Sequence, residues 1–282
     1  MAKKLSCALT HARQESFFLE KWIHHYSQIV GRENLYVTLD GSDWTPDVDL
    51  TGVNVEVIED APRARIRNDR FIASEMSKRA NGLRKRYRYV LRMDVDEFVV
   101  LDPAAHLDWD EALGEVDDDG YIFAIGIDVI QRGADLSPAD RTSPILAQRP
   151  FGVVSGLYTK PFAISRWNNW AGGGHRLINR PVKISNNFVL FHLALADLNI
   201  AQERHSARGG DAQHNSFVSY IGERFTAIRS TSTMEIEDYD EVCGVAKHVF
   251  TWNEDGEARK RPPPQNDRAL YVEIPGRFQS LL

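Results

Sequence analysis

The apolar run Tyr89-Val90-Leu91-Arg92-Met93 ends in Asp94-Val95-Asp96-Glu97-Phe98. Two aspartates two residues apart on an extended chain point to the same side, ~7 Å apart along the strand. Like charges so placed repel unless a cation lies between them. A hard divalent ion meets that need and can in turn hold phosphate oxygens. Asp94 and Asp96 therefore read as candidate metal ligands, with a solvated acidic turn as the plain alternative for so short a motif. His192 is the candidate third ligand, because Val189-Leu190-Phe191 delivers it from an apolar strand. An imidazole beside two carboxylates suits Mn²⁺ better than Mg²⁺. His175 competes for that place from the loop Gly172-Gly173-Gly174, where missing side chains allow close approach to a ligand. Trp167 and Trp170 flank the loop with rings suited to stacking on sugar faces. Asp128, in or near the end of a long apolar strand, is the candidate general base; a solvated loop aspartate is its alternative.

The elements that must position these residues begin with a strand over Leu5 to Thr10. A helix follows over Ser16 to Val30, with Leu19, Trp22, Ile23, Tyr26 and Val30 on one face. Leu35 to Leu39 and Val53 to Ile58 read as strands, Ile66 to Leu83 as a helix, and Tyr89 to Met93 as the fourth strand. Strands alternating with helices imply parallel β-α-β units, hence an α/β fold with a mostly parallel central sheet. Beyond it, His106 to Val116 is expected as helix and Tyr121 to Ile130 as a long strand. Short strands are expected within Val153 to Ile164 and Val182 to His192, and helices near Asp197 to Ala207 and Asn215 to Arg224. Residues 1–260 are expected as one domain, and Arg261-Pro262-Pro263-Pro264 opens a C-terminal tail over 261–282.

With 282 residues, 43% hydrophobic and 26% charged, the chain is long enough and apolar enough for a full core. Its formal net charge of −6 does not point to nucleic acid. Arg63 to Arg92 is the exception: eleven Lys or Arg against Asp69 and Glu75 give +9 locally, and −15 over the rest. A solvated helix face explains much of that, and contact with acidic glycans or anionic lipid is left open. No apolar run approaches the ~18 residues of a spanning helix, and the basic start is too short for a signal peptide. Cys7 and Cys243 fit neither a disulfide scaffold nor a zinc site. A cytoplasmic protein is the expectation.

Asp94-Val95-Asp96-Glu97-Phe98 resembles the DxDEF element of bacterial family 2-like glycosyltransferases of the GT-A fold, a group related to family 92. Thr10-His11-Ala12-Arg13-Gln14-Glu15 with Phe18-Leu19-Glu20-Lys21-Trp22-Ile23 resembles their opening, and Asp40-Gly41-Ser42-Asp43 the turn after their second strand. The resemblance implies a GT-A fold with a C-terminal elaboration. It also implies a metal-dependent transfer of sugar from a nucleotide-diphosphate sugar, a UDP-sugar being the expected donor, to a glycan or lipid-linked acceptor. It places Thr10, Arg13, Glu15 and Asp40 beside the nucleoside, Arg67 and Arg70 beside the pyrophosphate, and His175 over the donor. His192 resembles the family's late metal-binding histidine, although Leu193 stands where a tyrosine is usual. A phosphatase of the haloacid dehalogenase type shares the Asp-x-Asp strand, but three strands precede it here. A nucleotidyltransferase would carry glycines after the first strand, where Thr10 to Glu15 has none. A non-catalytic nucleotide-sugar-binding module is a further alternative.

Overall fold

A computed structural model describes residues 4–59, 61–62, 65–133, 137–208, 235–263 and 270–282. The helix expected over Asn215 to Arg224, and His214, lie outside the described residues. Strand β1 (Lys4–Ala12) leads through helix α1 (Ser16–Val30) to β2 (Leu35–Asp40) and β3 (Asn54–Ile58); helix α2 (Arg65–Leu83) then leads to β4 (Tyr87–Arg92). β2 and β4 flank β1, β3 lies outside β2, and all three pairings are parallel. Each face of β1 is buried: Ala8 and Ala12 pack with Leu19, Trp22 and Tyr26 of α1, while Cys7 and Leu9 pack with Ile72, Met76 and Ala80 of α2. A strand covered on both faces needs apolar residues at every position, and Cys7-Ala8-Leu9 supplies them.

The other half departs from the expected mostly parallel sheet. β5 (Glu97–Leu101) pairs antiparallel with β9 (Ile184–Leu195), and β6 (Tyr121–Ile130) pairs parallel with the other edge of β9. Along its remaining edge β6 meets β7 (Phe151–Val154) and β8 (Lys160–Ile164), both antiparallel, and β8 joins β4 antiparallel. The sheet is therefore mixed. Parallel neighbours need a long crossover; after β4 two connections are too short for one, residues 93–96 between β4 and β5 and residues 155–159 between β7 and β8. Those residues bulge across Gly126, where a Cβ would stand 2.1 Å from the Tyr158 carbonyl carbon. Gly126 thus makes room for the bulge, which its amide ties down by donating to Thr159 Oγ1 at 3.0 Å.

Further elements are α3 (Trp109–Ala112), α4 (Ile145–Gln148), α5 (Leu198–Arg208), α6 (Tyr239–Thr251), β10 (Tyr271–Glu273) and α7 (Gly276–Gln279). The helix expected from His106 to Val116 shortens to α3 and a 3₁₀ turn, because His106 adopts a left-handed φ of 54° and Asp108 caps the helix later. The residues expected as a C-terminal tail instead add edge strand β10 to β7. They also bury Val272, Ile274 and Phe278 completely. α6, which buries Val242, Cys243, Ala246 and Phe250, was not anticipated from the sequence.

Candidate active site

From β1 the sheet extends one way to β2 and β3 and the other way to β4 and β8. Open α/β sheets bind ligands outside the carboxyl ends of their strands where the order reverses in this way. His11 and Asp94 meet at that point, with Nδ1 3.9 Å from Asp94 Oδ1. The acidic pair does not lie on a strand face. β4 ends at Arg92, and Asp94 and Asp96 occupy a tight turn closed by the Glu97 amide donating to the Asp94 carbonyl at 3.0 Å. The two aspartates accordingly engage separate partners.

Asp94 accepts from Arg92 Nη2 at 2.8 Å through Oδ1 and from Lys160 Nζ at 2.9 Å through Oδ2. The same ammonium also donates to Glu97 Oε1. Asp96 Oδ2 accepts from Arg204 Nη2 at 2.7 Å, and Arg204 Nε reaches back to Glu15. Arg204, on α5, lies over the Phe18 ring at 4.7 Å. Asp94, Asp96 and Glu97 are thus matched by Arg92, Lys160 and Arg204, with Glu15 sharing the last. Burial would raise the Asp94 carboxyl, but Arg92, Lys160 and His11 outweigh it and hold it well below the usual range. Burial likewise opposes ionisation of Asp96, and Arg204 and His192 overcome it. Glu97 is raised, by burial first and then by Asp94. Burial pulls the Lys160 ammonium down, yet Asp94 and Glu97 leave it above an ordinary lysine.

Three strands place a second group by register. Glu97 on β5 stands opposite His192 on β9, and His192 stands opposite Asp128 on β6. His192 Nδ1 lies 2.6 Å from Asp128 Oδ1, so the ring donates there, and Nε2 sits 3.7 Å from Asp96 Oδ2. The Tyr158 ring, carried by the bulge over Gly126, stacks on His192 at 3.7 Å. Burial is the main cause that brings the His192 imidazole down to about 4, so it is neutral near pH 7.

The glycine loop closes one side. A Cβ at Gly174, whose φ is +72°, would stand 1.9 Å from Arg92 Nη1, so the loop lies directly against the guanidinium that holds Asp94. Gly172 covers the Arg70 stem in the same way at 3.3 Å. His175 is half-buried, its Nδ1 2.9 Å from the Leu157 carbonyl, and burial followed by nearby Lys160 lowers it to about 3.

The structure therefore brings Asp94, Asp96, Glu15, Asp128, His192 and His175 together in one charged cluster. Arg13 lies at the next strand end, donating through Nη1 to the Asp40 carbonyl at 2.8 Å and through Nη2 to Asp43 at 2.7 Å. Thr10 is fully buried and Asp40 nearly so, with its carboxylate 3.4 Å from Asn68 Nδ2, so neither offers an open face to a base. Arg67 is exposed near the start of α2. Trp170 is a core residue whose indole donates to the Pro161 carbonyl, whereas Trp167 is 64% exposed. Asp128, expected as the base, is 2% exposed and spent on His192.

The expected Mn²⁺ centre is not assembled from these residues. Among the described residues no three His, Cys, Asp or Glu side chains converge to hold an ion. The donor chemistry gives the reason: both Asp94 oxygens and one Asp96 oxygen are already bonded to side-chain cations. Sequence reasoning missed Arg92, Glu97, Lys160, Arg204, His11 and Tyr158. A charged residue inside an apolar run marks Arg92 and Lys160; Arg204 carries no local signal.

No protein-family model matches the chain, and no curated protein matches its sequence. Among solved structures, the crystal structure of mannose-1-phosphate geranyltransferase from Thermus thermophilus is similar at 13% identity and a TM-score of 0.29, over 95% of this chain and 73% of that one. The class defined by the strands themselves is a mixed α/β fold with a cluster of paired charges at its switch point.

Proposed function

We infer that the chain is a glycosyltransferase that moves a sugar from a nucleotide-diphosphate sugar, a UDP-sugar in the first instance, to the hydroxyl of a glycan or lipid-linked acceptor. The observation that carries this reading is the meeting of fixed cations and carboxylates at the carboxyl ends of β1 and β4, where a doubly covered sheet receives a nucleotide. Arg92, Lys160 and Arg204 are aimed before any ligand arrives. Such preorganised charge stabilises a departing diphosphate without reorganisation at the moment of bond breaking. Asp128 acts through His192: it fixes the Nδ1–H tautomer and leaves Nε2 as the acceptor for a hydroxyl proton. The imidazolium formed in that step is stabilised by Asp96 and Glu97, the charges that most favour its protonation. Gly172 to Gly174 and His175 cover the donor and exclude water.

A panel of nucleotide sugars, followed by thermal shift and by released nucleotide in the presence of oligosaccharide and lipid-linked acceptors, tests this. Release of UDP that depends on acceptor is the expected result. Pyrophosphate release from a nucleoside triphosphate with a sugar phosphate would make the chain a nucleotidyltransferase and overturn the reading. Binding of a nucleotide sugar with no turnover on any acceptor would make it a binding module instead.

A further inference from the structure

We propose that Lys160 is the resident cation of this site: its ammonium occupies the place a divalent metal would take on Asp94, and it receives the donor's diphosphate without one. The proposal deepens the glycosyltransferase reading by naming what meets the phosphates.

The argument starts from where Lys160 is held. It is the first residue of β8, paired with Ala124 of β6, and is 4% exposed. A lysine almost never lies so deep unless its charge is matched, and Asp94 and Glu97 match it. The bulge over Gly126 and the stacking of neighbouring Tyr158 on His192 fix the start of β8, so the ammonium cannot swing out as a surface lysine does. An ammonium has three donors; two serve Asp94 and Glu97, and the third remains for an incoming oxygen. Arg92 blocks the other Asp94 oxygen, its guanidinium enclosed beneath Gly174. A dication on Asp94 would stand within a few ångströms of both fixed cations, where like charges repel strongly in a buried setting. Metal and Lys160 are therefore mutually exclusive at Asp94. Phosphate and Lys160 are complementary.

The test uses the full chain. Mn²⁺ is titrated into nucleotide-free protein and followed by electron paramagnetic resonance, for the natural sequence and for Lys160→Met and Lys160→Arg, with circular dichroism checking each fold. The natural protein and Lys160→Arg should bind Mn²⁺ only weakly, whereas Lys160→Met, with Asp94 and Glu97 released, should gain about tenfold or more in affinity. UDP affinity of the natural protein should be unchanged by a chelator. Tight Mn²⁺ binding by the natural protein, or a folded Lys160→Met with no gain, overturns the assignment. If Lys160→Met does not fold, the natural protein and Lys160→Arg decide by their Mn²⁺ affinity alone. Should the Mn²⁺ pattern hold while no nucleotide binds under any condition, the glycosyltransferase reading and the contact with diphosphate both fall, and only the place of Lys160 on Asp94 stands.

Discussion

Replacing Gly174 by alanine tests whether the glycine loop and the acidic turn form one unit. The new Cβ would stand 1.9 Å from Arg92 Nη1, and ordinary contact begins near 3.4 Å, so the guanidinium must retreat by 1.5 Å. Its bond to Asp94 is 2.8 Å long and does not survive a displacement of that size. Losing a charge-assisted hydrogen bond at a residue whose side chain is 3% exposed costs about 1.5–3 kcal/mol. The left-handed φ of +72° adds about 1–2 kcal/mol for any residue with a Cβ. Together these give about 2.5–5 kcal/mol, a fall in Tm on the order of 10 °C for a chain of this size. Gly256→Ala is the control: its φ is +77° and nothing lies within 4 Å, so it suffers the backbone strain alone. Thermal unfolding of both variants, with UDP-sugar affinity measured beside it, separates the two effects. Equal losses of Tm would show that Gly174 does not press on Arg92, and an unchanged nucleotide affinity would show that Arg92 is not coupled to the ligand.

Arg204→Met should remove one charge partner from half-buried Asp96 and from buried Glu15, destabilising by ~3 kcal/mol or more; denaturant unfolding checks this, and an effect below ~1 kcal/mol would contradict the ion pairs seen. In the same variant the acid limb should change. Arg204 depresses the folded carboxyl of Asp96, so that part of the stability is present above the unfolded value near 3.8 and is lost as pH falls; Arg204→Met should flatten it in a pH series of unfolding curves. His25 is lowered to about 4, by burial first. It therefore withdraws stability as pH falls from its unfolded 6.5 toward 4, and His25→Phe should reduce the slope in that window. Burial raises both thiols, Cys243 to about 12, so neither should react with a thiol reagent at pH 8 until the chain unfolds.

The first half of the fold was legible because each element carried its own period. Helix α1 buries the face marked by Leu19, Trp22, Ile23, Tyr26 and Val30, and β6 spans Tyr121 to Ile130 as the apolar run implies. Edge pairing in the second half was not legible. Whether β8 joins β4 or β5 depends on where a five-residue bulge sends the chain, and Gly126 and Thr159 decide that together from positions 33 residues apart. The site divided in the same way. The acidic motif and His192 announced themselves by type and by the apolar runs that deliver them, while Lys160 and Arg204 reach Asp94 and Asp96 from 66 and 108 residues away. No local spacing encodes such a meeting. Counting two carboxylates led to the expectation of a metal ion; nothing nearby in sequence said that Lys160 and Arg204 would be bonded to them.

The row Glu97, His192, Asp128 across β5, β9 and β6 also bears on how the molecule is assembled. Side chains alternate along a strand, so a slip of β9 by one residue would replace His192 by Phe191 or Leu193 on that face. Asp128 would then lose the imidazole that its carboxylate holds and meet hydrocarbon in its place, a costlier fault than a mispacked leucine. Only one register of β6 and β9 brings Asp128 against His192. Chemistry and folding thus share a checkpoint, in which the residues that would handle substrate also reject the misthreaded sheet, and refolding of a His192→Leu chain should lose that discrimination and populate off-register species that the natural chain discards.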